Sequence, residues 1–206
     1  MLTSEGGFVV AGSTESNANG PSDMLVSKHS SSGRIEWIKT YEGSDNESIE
    51  SVIAVDGGYI ACGYSASLLT SGADDIVFMK IAEDGTVLWS KVIGALNSRE
   101  VCSEIIVSRE GDALYFTAST QGFGFTASQN LLYGKLGTDG SLLWMKGVGE
   151  AGQLAGVTLK EVSNGNLLIV GYVLGRGAGN LDGLIIQTDS QGNIEASKFL
   201  GGADYD

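Results

Sequence analysis

One period runs through the chain. Trp37, Trp89 and Trp144 recur at steps of 52 and 55 residues, and Ala196 takes the fourth place 52 residues further on. The turn glycines Gly33, Gly85, Gly140 and Gly192 keep the same steps. So do Lys39, Lys91, Lys146 and Lys198, and so do Asp23, Asp75, Asn130 and Asp182. Upstream of each Asp an aligned apolar stretch reads GGFVVAGST, GGYIACGYS, GDALYFTAST and GNLLIVGYV. Position series that share one period mark a tandem array, in which each unit is stable only against its neighbours.

Each period divides into four strands, A to D. In the second they are ESIESVIAV, GYIACGYS, DIVFMKIA and TVLWSKVIG. Val, Ile, Tyr, Phe and Trp fill them, and Gly, Asp and Ser bound them. No helical pattern competes. The link EDGT between C and D is a tight hairpin turn whose Gly takes a positive φ, and SSGR, TDGS and SQGN repeat it. In strand C, Ile76 and Phe78 face one way and Val77 and Met79 the other. A strand apolar on both faces belongs to a sheet covered on both faces. A four-stranded antiparallel sheet of this kind, repeated in tandem, is the blade of a β-propeller. The expected fold is therefore all-β, a propeller of about four repeats of 51–55 residues. The expected blades are 1–43 (lacking strand A), 44–94, 95–149 and 150–201, with 202–206 opening a further repeat. Each Trp is expected as a buried wedge between blades. The missing strand points to a piece of a larger propeller, completed by further blades of the same chain; the alternatives are a closed four-bladed ring and a ring completed by a second copy.

The pattern D, apolar strand, K-x-x-x-D-G-x-x-x-W-x-K, followed by Gly and later by DGGYI-x-x-G, resembles bacterial tandem β-propeller repeats of the seven-bladed type. The core DGTVLW is also similar to pyrroloquinoline-quinone propeller repeats. The third repeat departs from the pattern with Asn130 and Ala118, and the fourth with Gln187 and Ala196. The resemblance implies a fold and an exported location, extracellular or at the cell surface. It implies no reaction, because propellers host unrelated functions.

Composition narrows the partners. A formal net charge of −13 with only 12 Lys and Arg repels nucleic-acid phosphates and anionic lipid. Membrane insertion is not expected, since the longest apolar run, NLLIVGYVLG, is too short to span a bilayer. The opening MLTSEGGFVV has neither the basic nor the apolar region of a signal peptide. With 31 Gly and 1 Pro the chain suits many tight turns. Cys62 and Cys102 are expected as small core hydrophobes, with a bridge between them as the alternative.

Candidate chemistry is sparse. His29 is the only histidine and is expected as an exposed turn residue; alone it cannot build a His-based zinc site. Asp23, Asp75 and Asp182 stand where the long B–C loop enters strand C. Capping of backbone N–H groups is the expected role, with Ca²⁺ held by oxygen-rich loops as the alternative. No other cofactor is expected. The lysine series suits an edge strand, where charge blocks edge-to-edge pairing and the stem covers Trp. Phe123 and Phe125 in the Gly-rich third B–C loop, and Arg176 in the fourth, are the candidate ligand contacts, for a protein or a carbohydrate, with a hydrophobic cluster under the loop as the equal alternative for the two rings. Asn46–Ser48 matches a glycosylation triplet. These features favour a non-enzymatic binding scaffold. The alternative is a propeller hydrolase or lyase with a carboxylate or metal site on its loop face.

Overall fold

A computed structural model describes residues 1–16, 19–68, 73–125, 129–149, 153–162, 165–175 and 181–202. Among them there are fifteen strands and no helix, hence none long and apolar enough to cross a membrane. The strands are β1 (Phe8–Thr14), β2 (Asp23–His29), β3 (Ile35–Tyr41), β4 (Glu47–Val55), β5 (Gly58–Ser65), β6 (Asp75–Ala82) and β7 (Val87–Ile93). They continue as β8 (Glu100–Val107), β9 (Ala113–Thr120), β10 (Asn130–Gly137), β11 (Leu142–Val148), β12 (Gln153–Glu161), β13 (Leu167–Leu174), β14 (Leu181–Thr188) and β15 (Ile194–Leu200).

They form four antiparallel sheets. The first has three strands, β1-β2-β3, and the others four each, ordered β4-β5-β6-β7, β11-β10-β9-β8 and β12-β13-β14-β15. Every neighbour in a sheet is a neighbour in sequence, as tight hairpins require. The chain divides into two compact units, Met1–Ile105 and Ile106–Asp206, with the boundary inside β8.

The four C–D hairpins are copies of one another. The glycines at 33, 85, 140 and 192 have φ of 81°, 85°, 80° and 75°. Each donates its N–H three residues back, as in Gly85 to Ala82 O at 2.9 Å. In every repeat the register slips one residue beyond the turn, at Lys28/His29, Lys80/Ile81, Lys135/Leu136 and Gln187/Thr188. A three-residue loop with Gly in the left-handed region produces such a bulge. The slip places Trp37, Trp89 and Trp144 opposite Lys28, Lys80 and Lys135.

In the first unit Val9, Val26, Ile49, Tyr59, Val77, Met79 and Ile81 form one buried cluster between the first two sheets. Ile76 and Phe78, on the other face of β6, are buried too. In the second unit Tyr115, Leu131, Tyr133, Leu154, Leu159, Ile169 and Ile186 do the same between the third and fourth sheets. A parallel bridge ties each pair at one end, Ser22 to Asn46 and Gln129 to Gln153.

Two expectations are corrected. The Trp residues are half-buried, not buried, because they stand on the edge strands β3, β7 and β11. Trp37 and Trp144 are each seated against the C–D turn of the next sheet. Trp37 Nε1 donates to Glu83 O at 3.0 Å, and Tyr41 O–H donates to Gly85 O at 2.9 Å. A Cβ placed on Gly192 would lie 2.6 Å from Trp144 Cη2, while Tyr133 O–H donates to Gly192 O at 3.0 Å. At Gly192 the ring of one sheet leaves the turn of the next no room for a Cβ, a demand added to the positive φ that all four turn glycines share. The second correction concerns the cysteines. Cys62 on β5 and Cys102 on β8 are joined in a disulfide, with Cα atoms 5.9 Å apart and both residues buried. The alternating faces of β5 and β8 bring them together, which spacing alone could not reveal.

Candidate functional site

Asp23 and Asp75 begin strand C of their sheets, Asp182 is the second residue of its own, and all three are buried. Asp23 Oδ1 accepts the N–H of Gly43 at 3.0 Å, and Oδ2 accepts that of Asn19 at 3.2 Å. Asp75 lies against Gly94 and Asp182 against Gly201, each so close that a Cβ on the glycine has no room. In the third repeat Asn130 Oδ1 would stand 2.9 Å from a Cβ on Gly149. The acid or amide therefore sits beside the glycine that follows strand D of its own sheet, and at Asp23 it caps backbone N–H groups. Each stands in a different sheet, and among the described residues no three His, Cys, Asp or Glu side chains converge as metal ligands.

Two further buried acids escaped the sequence reading. Glu47 opens β4 and accepts hydrogen bonds from Ser65 Oγ at 3.2 Å and Ser67 Oγ at 2.6 Å. Glu100 opens β8, where Oε1 accepts from Ser98 Oγ at 2.8 Å and Oε2 from Ala95 N at 2.9 Å. They recur 53 residues apart, and Gln153 continues the series. That repeat was the available signal.

The aromatic loop separates into two roles. Phe125 is half-buried, with its ring filling the space beside Gly147 and Gly149. Phe123 is 39% exposed and holds φ at 56°, a conformation rare for a bulky side chain. Arg176 lies outside the described residues. His29 is not an exposed turn residue. It ends β2 half-buried, with Phe8 stacked on its ring at 4.7 Å and Ser27 Oγ 2.9 Å from Nε2.

The most developed polar site lies in the first unit, at the end of the sheets that carries the A–B and C–D turns. A hollow of about 340 Å³ opens there between the first and second sheets. Its lining includes Thr3 and Glu5 from the first turn, Lys28 from β2, Asp56 and Tyr59 from the turn after β4 and the start of β5, and Glu83 from the β6–β7 turn. Lys28 Nζ lies 3.2 Å from Glu83 Oε2 and 3.6 Å from Glu36 Oε2, with only 13% of its side chain exposed. Tyr59 O–H donates to the same Glu83 oxygen at 2.8 Å. Burial pushes the Tyr59 phenol up to about 12, and the hydrogen bond to the Glu83 carboxylate pushes the same way. Burial works against the Lys28 charge, yet the bond to Glu83 and the surrounding anions hold its pKa above the usual lysine value.

No protein-family model matches the chain, and no curated protein matches it.

Proposed function

We propose that the protein is a non-enzymatic binding scaffold built as a β-propeller, or as part of a larger one, and that it works outside the cell or at the cell surface. The observation that carries this reading is the use of the repeated residues. Trp, turn Gly, capping Asp and the apolar faces recur together, and each is spent on holding one sheet or on joining it to the next. Two-faced sheets in tandem are what a propeller stacks about its axis. Val10 and Ile38 on the outward face of the first sheet are 48% and 51% exposed, which suits cover by further sheets or by a second copy. The buried Cys62–Cys102 bridge suits an oxidising compartment and so supports an exported location.

Recognition falls to groups that the repeat does not need: the exposed Phe123 and the polar hollow beside Lys28. Protein or carbohydrate is the partner class in this reading. Peptide and glycan arrays probed with the whole chain test it. The expected result is saturable capture of one ligand class, with the ligand recovered unchanged. Turnover of the captured ligand would replace the scaffold with the enzyme alternative.

A further inference from the structure

The other sheets show what belongs beside β1. In each of them strand A lies next to strand B. In the first sheet β1 is strand B, and it stands at the edge. Its first residues are paired: Val9 N donates to Met1 O at 2.9 Å, Met1 N donates to Val9 O at 3.0 Å, and Leu2 bridges Phe8. Beyond Val9 no described residue pairs with that side of β1. By alternation Ala11 and Ser13 direct their N–H and C=O groups the same way as Val9. Every other edge strand of the four sheets carries at least one charged residue, a guard against added strands. β1 carries none.

Gly12 is fitted to a neighbouring backbone. It takes the place in β1 that Gly63 takes in β5 and Gly171 in β13. A Cβ on Gly63 would lie 1.9 Å from Ser48 O of β4, and one on Gly171 would lie 2.1 Å from Ala155 O of β12. Both contacts fall where strand A bulges, between Ile49 and Ser51 and between Gly156 and Thr158. None of the three glycines has a positive φ, so the close approach of strand A is what requires Gly63 and Gly171. A Cβ on Gly12 meets nothing within 4 Å. The third sheet has Ala118 at this place, and its strand A has eight residues where β4 and β12 have nine. Thr14 and Ser16 likewise repeat Ser65 and Ser67. Ser67 N donates to Ser65 Oγ at 3.2 Å, and Ser16 N donates to Thr14 Oγ1 at 3.2 Å. In the second sheet the two hydroxyls hold the Glu47 carboxylate.

We infer that the free edge of β1 binds an extended peptide segment of a partner protein, antiparallel to β1, with a glutamate opposite Thr14 and a bulge after the residue opposite Gly12. The register of β4 on β5 sets the pattern: Glu47 faces Ser65, Ile49 faces Gly63 and Val52 faces Ala61. Ile53 faces Ile60, the place that Met1 takes beside Val9. The edge therefore accepts six residues, as Glu47–Val52 supply on β5. Apolar side chains at the third and sixth places lie on the face of Val10, which is 48% exposed. Main-chain bonds to Ala11 and Ser13 supply affinity, and the glutamate supplies specificity. β4, β8 and β12 are already paired within their own sheets, so the segment comes from another protein. The inference rests on the binding-scaffold reading and gives it a peptide partner.

The test titrates the whole chain with the labelled peptide DNESIESV, the sequence of residues 45–52, amidated at its C-terminus, and follows fluorescence polarisation at physiological salt. Saturable one-site binding is expected, with slowed amide exchange at Ala11 and Ser13. A scrambled peptide of the same composition should not bind. Glu47→Gln in the peptide should weaken binding about tenfold, since a charged hydrogen bond is worth about that factor. Gly12→Ala should abolish binding and melt no lower than the parent, because in the free chain its methyl enters open space. Gly63→Ala, where strand A is present, should melt lower. Absence of saturable binding, equal binding of the scrambled peptide, or binding unchanged in Gly12→Ala would overturn the assignment. Self-association of the chain that Gly12→Ala abolishes would give the edge to a second copy and overturn it too. Each of these failures leaves the array result, and with it the general scaffold reading, intact.

Discussion

Removing the room above Trp144 should cost more than removing the same glycine where no ring is present. Gly33 and Gly192 occupy the same place in the C–D turn, with φ of 81° and 75°. A Cβ on Gly33 meets nothing within 4 Å, whereas on Gly192 it falls 2.6 Å from Trp144 Cη2 and 2.7 Å from Cζ3. Gly33→Ala therefore isolates the backbone term, about 1–2 kcal/mol for an L-residue in the left-handed region. Gly192→Ala carries that term plus about 1–3 kcal/mol for forcing a methyl into a filled seat. Trp144→Ala empties the seat, and in that background Gly192→Ala should fall back to the cost at Gly33. The coupling between Trp144 and Gly192 is then about 1–3 kcal/mol in a double-mutant cycle. Urea unfolding followed by far-ultraviolet circular dichroism measures each corner without depending on Trp fluorescence. Equal costs at Gly33 and Gly192, or a Gly192 cost that survives the loss of Trp144, would refute the seating of the Trp144 ring against Gly192.

The disulfide closes a separation of 40 residues, so mutating Cys62 and Cys102 to Ala should cost about 4 kcal/mol through the freed unfolded chain; mass spectrometry without reductant should find no free thiol, and a free thiol there would remove the bridge. Asp23→Ala should cost about 1–3 kcal/mol by stripping Gly43 and Asn19 of their acceptor, and chelator should leave the melting temperature unchanged. A chelator-induced fall that Asp75→Asn abolishes would move the series from capping to Ca²⁺. Burial, reinforced by the charge of Asp84, pushes the Tyr41 phenol up to about 12, and Tyr59 is raised to about 12 as well. Both folded values exceed the ordinary 10, so the stability held by the protonated phenols is whole below pH 10 and is lost as pH climbs through 12. Tyr41→Phe should flatten the alkaline limb of a stability–pH curve, and an unaltered limb would show that Tyr41 does not contribute to it.

The period carried far because its physical causes are local. A three-residue turn with Gly at positive φ writes itself into four consecutive residues, and alternation in strand C exposes a two-faced sheet. The Asp series was legible as a recurring position, and at Asp23 the expected capping of backbone N–H groups is seen. What sequence could not supply was register across sheets. The half-burial of Trp37 depends on β3 being an edge strand, and the Cys62–Cys102 bridge depends on which faces of β5 and β8 meet. Lys28 and Glu83 are 55 residues apart, and nothing in either short stretch announces the ion pair. Between the two readings of the aromatic loop, sequence could not choose; Phe125 packs its ring beside Gly147 and Gly149, whereas Phe123 is exposed.

A repeated chain offers a comparison that a single-copy domain lacks. Each repeat solves the same packing problem, so a feature present in both units answers to packing, and a feature present in one answers to something else. The turn carbonyl of Gly85 is bonded by Tyr41 from strand D, and that of Gly192 by Tyr133 from strand C. Two different side chains meet one demand, which shows that the demand belongs to the fold and not to either residue. The opposite pattern holds at the hollow. Lys28 and Lys135 keep the same place, but only the first is given a glutamate and a phenol to hold it. Packing one sheet on the next therefore does not require the Lys28–Glu83–Tyr59 cluster.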